Sequence, residues 1–526
     1  MLDLVLEGGQ VVDGTGSPAF RGDVGIEGER IAAVGPLARA EARRRLDVRG
    51  RVVIPGFIDT HVHADLALLA DPAHEAAIRQ GVTTYLLGQD GVAMAPASTA
   101  TLAYMKRYTA GFSGRFDLPD RWASMAEYLA CFDRRTAVNV AALIPNGNVR
   151  MDVMGLETRP PTADELKKMR RIVGQAMTDG AVGLSSGLDY IPSRYADAAE
   201  LAELCKEIAP GGGVYVTHMR AYAPDRVLGS MDEVFRIGRD SGAAVHISHF
   251  NSQAELVIPK LEAGQAEGVD VTFDLYGYLW GSTILGMVAL PPWVQEGGID
   301  PTMARLRDPA IRTRIVAEPG TGPRGPINTV RLSYVEAPAY RRYEGATIEE
   351  AARQAVGSVT PEALVQFVCE ILLASDMSVG CVVPHLQRGE SDVVALMRHP
   401  AMMGGSDGIY TGSHPHPRGY GCFARYVGHY VREARAWTLE EAVQRLSAHP
   451  ARRLGLLDRG LVRPGLVADL VVLDPARVAE RATYEDGRQP AVGLDHVLVN
   501  GQPVLESGKR TPARPGRALR PTRGLA

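Results

Sequence analysis

Cysteine is scarce in this chain. Its five residues, Cys131, Cys205, Cys369, Cys381 and Cys422, are scattered over 526 positions, odd in number and never paired as CxxC. A disulfide framework and a thiolate cage for zinc are both unexpected, and a reducing cytoplasm fits the chain best. Long apolar runs are missing as well, and none approaches the length of a membrane span. The opening stretch MLDLVLEGGQVVDGTG has no basic segment leading into an apolar one, so no signal peptide is expected. An excess of one charge is also lacking. Lysine and arginine total 57 against 61 aspartates and glutamates, a net charge of -4. That balance gives no reason to expect nucleic acid or an anionic membrane as a partner.

What is present suffices for a large core, since 45% of the residues are hydrophobic. The length points to two or more domains, or to one large barrel with additions. Both ends read as small antiparallel β structure: LDLVLEGGQVVDG and DVGIEGERIAAVG at the start, LVADLVVLDP and LDHVLVNGQPVLESGKR near the finish. Each is a short alternating run broken by glycine turns. Residues 1–54 and 460–515 are therefore expected to pair into one small β domain. The middle, 55–459, alternates strand and helix patterns. The strand candidates are 51–61, 82–88, 136–144, 181–187, 213–218, 243–249, 270–276 and 401–407, separated by amphipathic segments such as ADELKKMRRIVGQAMTDG. Alternation implies a parallel sheet, and eight units imply a closed (β/α)8 barrel, so the chain is assigned to the α/β class. The long gap at 277–400 reads as an inserted lid or subdomain, placed at 285–350. The tail from Lys509 to Ala526, rich in Arg, Pro and Gly, is expected to lie extended on the surface.

In such barrels the chemistry sits at the C-terminal ends of the strands, and polar residues recur there. His61 and His63 end the first candidate strand in IDTHVHADL, two apart and so on one face. Two imidazoles facing a barrel interior make sense when they share a cation. Asp90 follows the second strand, His218 ends the fifth, His249 the sixth and Asp407 the eighth. In AAVHISHF, His246 is three residues from His249 and faces the other way, so it is read as structural, packed against helices. Asp90 and Asp407 each precede glycine, which is also an ordinary turn pattern.

With these motifs assembled, the chain resembles the amidohydrolase superfamily, and within it the D-aminoacylase (N-acyl-D-amino-acid deacylase) family. The likeness runs through PGFIDTHVH, QGVTT, GLSSGLDYIP, THMR, ISH, LYGYLWGSTIL, GGSDG, HPHPRGYGCFARYVGHYVRE and LLDRGLVRPGLVADLVVLDP. The resemblance implies a metal-dependent (β/α)8 TIM barrel, a small β-sandwich from both chain ends and an inserted subdomain. It implies a divalent metal, Zn2+ first, as one or two ions on His61, His63, His218 and His249. It makes Asp407 the general acid/base, and gives Tyr190, Tyr276 and Ser282 to substrate binding. The activity implied is hydrolysis of the amide bond of a small N-acyl-D-amino acid or related N-acyl compound. The oligomeric state stays open, a homo-oligomer included.

Four departures from the family pattern cluster around the implied pocket. The turn GQDG puts Asp90 where the family has a metal-binding cysteine, and Asp90 is expected to ligate in its place; a carboxylate is the harder ligand and makes manganese, cobalt or iron more acceptable. Asn251 stands where a lysine helps to hold the substrate carboxylate. Either Arg220 in THMRAY or another arginine such as Arg425 supplies that cation, or the substrate has no carboxylate there. Asn146 stands near a usual histidine. In LYGYLWGST, Gly277 replaces a proline and Trp280 adds bulk. These departures keep two rivals open: an amidohydrolase acting on a cyclic amide, a lactone or a carbamoyl compound, and a non-catalytic scaffold.

Overall fold

The computed structural model describes residues 1–119, 121–318 and 327–522. Its centre is a barrel of eight parallel strands: β1 (Phe57–Asp59), β2 (Val82–Leu87), β3 (Asn139–Pro145), β4 (Gly183–Gly187), β5 (Val214–His218), β6 (Ala244–Ile247), β7 (Val271–Leu275) and β8 (Met402–Gly404). They pair in chain order, β8 beside β7. The circle closes where Thr60 N donates to Gly404 O at 3.1 Å and Val62 bridges Gly408. Seven of the eight strand candidates contain one of these strands, and the third, 136–144, falls one residue short of the end of β3 at Pro145.

Alternation along the strands sorts the side chains. Val245, Ile247, Val271, Phe273 and Leu275 pack outward in one cluster with Ile237 and Leu261 of the surrounding helices. Ile58, Leu86, Ala141, Leu143, Val214 and Val216 form a separate cluster on the other face, closed by Ala451, Leu454 and Leu519. Leu519 belongs to the tail, which is thus more than a surface segment. Val140 N donates to Arg517 O at 2.9 Å and Leu519 N donates to Val140 O at 2.7 Å. The tail fills the free side of β3 below Leu143, where pairing with β4 begins. Its one large apolar residue has driven it inward; Arg520 stays exposed, and residues 523–526 lie outside the described residues.

Both chain ends join in one nine-stranded mixed sheet. Val52–Pro55 is the seam, parallel to Leu4–Val11 and antiparallel to Leu470–Leu473. A buried polar knot ties this sheet to the barrel. Asp469 is ion-paired with Arg459 and accepts from Asn139 Nδ2 at 3.0 Å and Asn500 N at 2.7 Å. Every oxygen of this buried carboxylate thus has a partner, as burial demands.

Between β7 and β8 stands a three-stranded antiparallel sheet with Val379–Pro384 in the middle, flanked by Trp280–Ile284 and Arg331–Val335. It packs its own core of Leu285, Leu332, Phe367, Ile371 and Val383. The sheet reaches past 285–350 at both ends because its central strand comes last in the chain; residues 319–326 lie outside the described residues. Among the described residues no single helix is long and apolar enough to cross a membrane.

Leu519→Ala empties part of the barrel floor and is expected to cost about 2–4 kcal/mol, read as a lower urea midpoint. Arg520→Ala is expected to leave the midpoint in place.

Candidate active site

The strands deliver six ionisable side chains to one end of the barrel. His61 and His63 follow β1, His218 closes β5, and His249 and Asp407 lie just past β6 and β8. Asp90 arrives by a different device. After β2 the chain enters a short curl in which Gly88, Asp90 and Gly91 all have positive φ, 82°, 57° and 65°. A Cβ on Gly88 would lie 2.3 Å from Leu143 O, so only glycine fits there. Aspartate is among the few residues that accept the left-handed region. His249 (φ 32°) and Asp407 (φ 49°) share this conformation, so three of the six groups sit on strained backbone.

Asp90 is the hub. Its Oδ1 is 3.6 Å from His61 Nε2 and 3.9 Å from His249 Nε2. Its Oδ2 is 3.6 Å from His63 Nε2 and 3.8 Å from His218 Nδ1. The donors fall into two triplets, His61–His63–Asp90 and Asp90–His218–His249, sharing the one carboxylate. Ligands about 2.1 Å from a tetrahedral ion stand roughly 3.4 Å from one another, and these spacings suit that. Both ring nitrogens of His61 and Oδ1 of Asp90 are buried with no hydrogen-bond partner among the described residues. Such atoms are costly unless something else engages them. The donor set therefore fits one or two divalent ions. Burial opposes a charge on His61, but Asp274 and Asp90 outweigh it and push its pKa up to about 9. Burial raises Asp90, against the pull of His61 and His63.

Asp407 stands beside this set, its Oδ1 3.2 Å from His63 Nε2 and its Oδ2 2.9 Å from Arg418 Nη2. Burial alone would raise its pKa; Arg418, then His63 and His249, hold it far below the usual carboxylate range. Beneath lies a second layer. Asp274 Oδ2 is 3.5 Å from His61 Nδ1 and 2.9 Å from His246 Nε2, and its Oδ1 accepts from His249 N at 2.7 Å. Asp59 accepts from Ser406 N at 2.8 Å and Ser406 Oγ at 2.5 Å, tying β1 to the Asp407 loop. His246 is held between Thr272 and Asp274. It is structural, as expected, but it does not pack against helices: Val245 and Ile247 take that face, so alternation turns His246 to the other.

One cavity is lined by Asp90, His218, His249 and Asp407 together with Tyr190, Tyr276 and Ser282. Tyr190 Oη is 3.1 Å from Thr283 Oγ1, Tyr276 Oη accepts from Asn251 Nδ2 at 2.7 Å, and Ser282 Oγ donates to Cys381 O at 2.9 Å. The two arginines singled out in the sequence are elsewhere. Arg220 is paired with Glu233 at 2.8 Å and donates to the carbonyls of Arg194 and Ala196, so its guanidinium is spent on holding loops. Arg425 is paired with Glu480 and donates to Gly277 O at 2.5 Å. Trp280 and Asn146 are also absent from the cavity wall; Trp280 lies against Tyr484, and Asn146 Oδ1 accepts from Ser193 Oγ at 2.5 Å. Gly277 is fixed by packing, since a Cβ there would meet Tyr430 at 2.2 Å. Sequence reading missed Asp274, Arg418 and Arg388. Asp274 was visible as an acid inside the apolar strand DVTFDLY, and Arg418 as part of HPHPRGYG.

Residues 44–505 match the Amidohydrolase family. The N-acyl-D-glutamate deacylase of Alcaligenes xylosoxydans xylosoxydans is 36% identical, over 100% of this chain and 98% of its own. Among solved structures, the N-acyl-D-glutamate deacylase of Bordetella bronchiseptica, complexed with zinc and a phosphonate mimic of the tetrahedral intermediate, is 33% identical. It superposes with a TM-score of 0.81 over 99% of both chains. A D-aminoacylase with a binuclear metal centre, where one metal activates and the second attenuates, is 34% identical, with a TM-score of 0.81 over 98% of this chain and 99% of its own. Full-length identity at this level, on the same barrel, leaves one assignment: this chain belongs to the amidohydrolase family, in its D-aminoacylase (N-acyl-D-amino-acid deacylase) branch.

Proposed function

We propose that this chain is a metal-dependent hydrolase that cleaves the amide bond of an N-acyl-D-amino acid, with Asp407 as general base and then general acid. The observation that carries the reading is the shared-carboxylate donor set beside Asp407, of which Asp90, His218 and His249 line one cavity with it. His61, His63 and Asp90 would hold one divalent cation, and Asp90, His218 and His249 could hold a second; the zinc of the Bordetella relative makes Zn2+ the first choice. Such a cation lowers the pKa of water and polarises an amide carbonyl.

The protein's own part follows from its electrostatics. Asp407 starts as a carboxylate because Arg418 and His63 hold it so, and is therefore free to accept a proton at Oδ1. Once protonated in such surroundings it is a strong acid, ready to release that proton to the leaving nitrogen. Arg418 Nη2 also donates to Ser282 O at 3.1 Å, so the base and the substrate wall are anchored by one guanidinium. Tyr190, Tyr276 and Ser282 orient the substrate through their hydroxyls. Arg220 has no share in this. We place the enzyme in the cytoplasm, a reading supported by its five free thiols.

Asp407→Asn is expected to keep its divalent metal while kcat on N-acetyl-D-amino acids falls about 10²- to 10⁴-fold; full turnover with metal in place contradicts the role. Dialysis against a chelator is expected to abolish hydrolysis and added Zn2+ to restore it, with the N-acetyl-L-amino acids turned over far more slowly than the D forms. Activity that survives complete metal removal, or no preference for the D series, contradicts the reading.

A further inference from the structure

The loop that follows Asp407 reaches His416, which is fully buried. Two residues on, a helix begins at Arg418 and runs to Arg425. The first N–H groups of a helix have no partner inside it. His416 supplies one: its Nδ1 accepts from Arg418 N at 3.0 Å. Its other nitrogen, Nε2, donates to Trp280 O at 3.0 Å. An amide N–H can only donate and a carbonyl only accept, so both the tautomer and the neutral form of the ring are fixed. Burial, helped by the charge on Arg418, pushes the pKa of His416 well below the usual histidine value. Tyr278 and Tyr484 stand edge-on to the ring at 5.3 and 5.2 Å and hold its plane. Trp280 opens the strand Trp280–Ile284, which carries Ser282.

Arg418 depends on that anchor. It meets Asp407 Oδ2 at 2.9 Å and Ser282 O at 3.1 Å, both through Nη2. Its Nε and Nη1 are buried with no hydrogen-bond partner among the described residues. The guanidinium carbon lies 4.6 Å from the Tyr276 ring, a face contact that sets no hydrogen-bond direction. A long side chain gripped at one nitrogen takes its aim from its backbone. His416 fixes that backbone, and fixes it to the same strand whose Ser282 O the guanidinium reaches. Trp280, His416, Arg418 and Ser282 thus close a loop of contacts, with Asp407 held from Arg418. We infer that His416 is a positioning residue of the reaction: acting through Arg418, it keeps the general base Asp407 in register with the substrate wall of the inserted sheet. The inference rests on the hydrolase reading above for the role of Asp407, and on hydrogen-bond geometry for the role of His416.

The test uses zinc-loaded wild type, His416→Phe, His416→Asn and His416→Gln, each with metal content counted. Phenylalanine keeps a ring and removes both bonds. Asparagine accepts from the backbone N–H two residues on and so keeps the bond to Arg418 N; glutamine reaches toward Trp280 O and loses it. In His416→Phe, kcat on N-acetyl-D-amino acids is expected to fall about 10- to 100-fold, with KM and metal content near those of the wild type. His416→Asn is expected to recover more of kcat than His416→Gln. In an Arg418→Lys background His416→Phe is expected to add little further loss, because residues that act as a unit are not additive. Wild-type kcat in His416→Phe, a loss that falls on KM instead, no advantage of Asn over Gln, or an additive loss in the double variant overturns the inference. If His416→Phe does not fold, His416→Gln takes its place in each comparison. If the wild type hydrolyses no N-acyl compound, the hydrolase reading falls, and crystals then read the positioning: Arg418 is expected to leave Asp407 Oδ2 in the variant, and an unmoved contact overturns the inference.

Discussion

Asp90 is buried between four imidazoles, each with a nitrogen 3.6 to 3.9 Å from one of its oxygens. These are too long for hydrogen bonds and right for atoms that share a cation. A carboxylate taken out of water costs a large share of the net stability of a domain unless charge or hydrogen bonds compensate it. The mouth of the barrel is arranged around that constraint. A left-handed curl brings the carboxylate over the strand ends, four histidines at or just past the ends of β1, β5 and β6 surround it, and Asp407 takes the remaining side. On the proposed reading the cations complete the balance.

The rest of the architecture holds those groups in place. Asp274 positions His61 and the backbone of His249, the kind of support that orients ligating imidazoles. Asp59 and Ser406 lock the first strand to the last. Arg418 fixes Asp407 and keeps it ionised. The inserted sheet brings Ser282 and Arg388 to the cavity from the other side. Strained φ values at Asp90, His249 and Asp407 survive because these contacts over-determine them.

Much of this was legible beforehand, and the reasons differ by element. The barrel was legible because eight apolar runs alternate with amphipathic ones, a local pattern. The site histidines were legible because a barrel puts its chemistry at strand ends, where His61, His63, His218 and His249 fall. The partner of a long side chain was not legible. Arg220 and Arg425 looked free in sequence, yet Glu233 and Glu480 claim them across folds of chain that no spacing rule reports. His416 drew no notice because its tie to Trp280 O spans 136 residues. Leu519 was hidden in a basic tail, and only the gap beside β3 shows why that tail turns inward.

The central claim is that Asp90 is shared between two cation positions, one with His61 and His63 and one with His218 and His249. Anomalous scattering at the zinc edge, from crystals of zinc-loaded wild type and Asp90→Ala with zinc per chain counted in solution, tests it most directly. The account predicts wild-type ions about 2.0–2.2 Å from the Asp90 oxygens, between the two histidine pairs, and a loss of at least one ion from Asp90→Ala. Ions held by the imidazoles with Asp90 beyond bonding distance, or a full complement in Asp90→Ala, would contradict it.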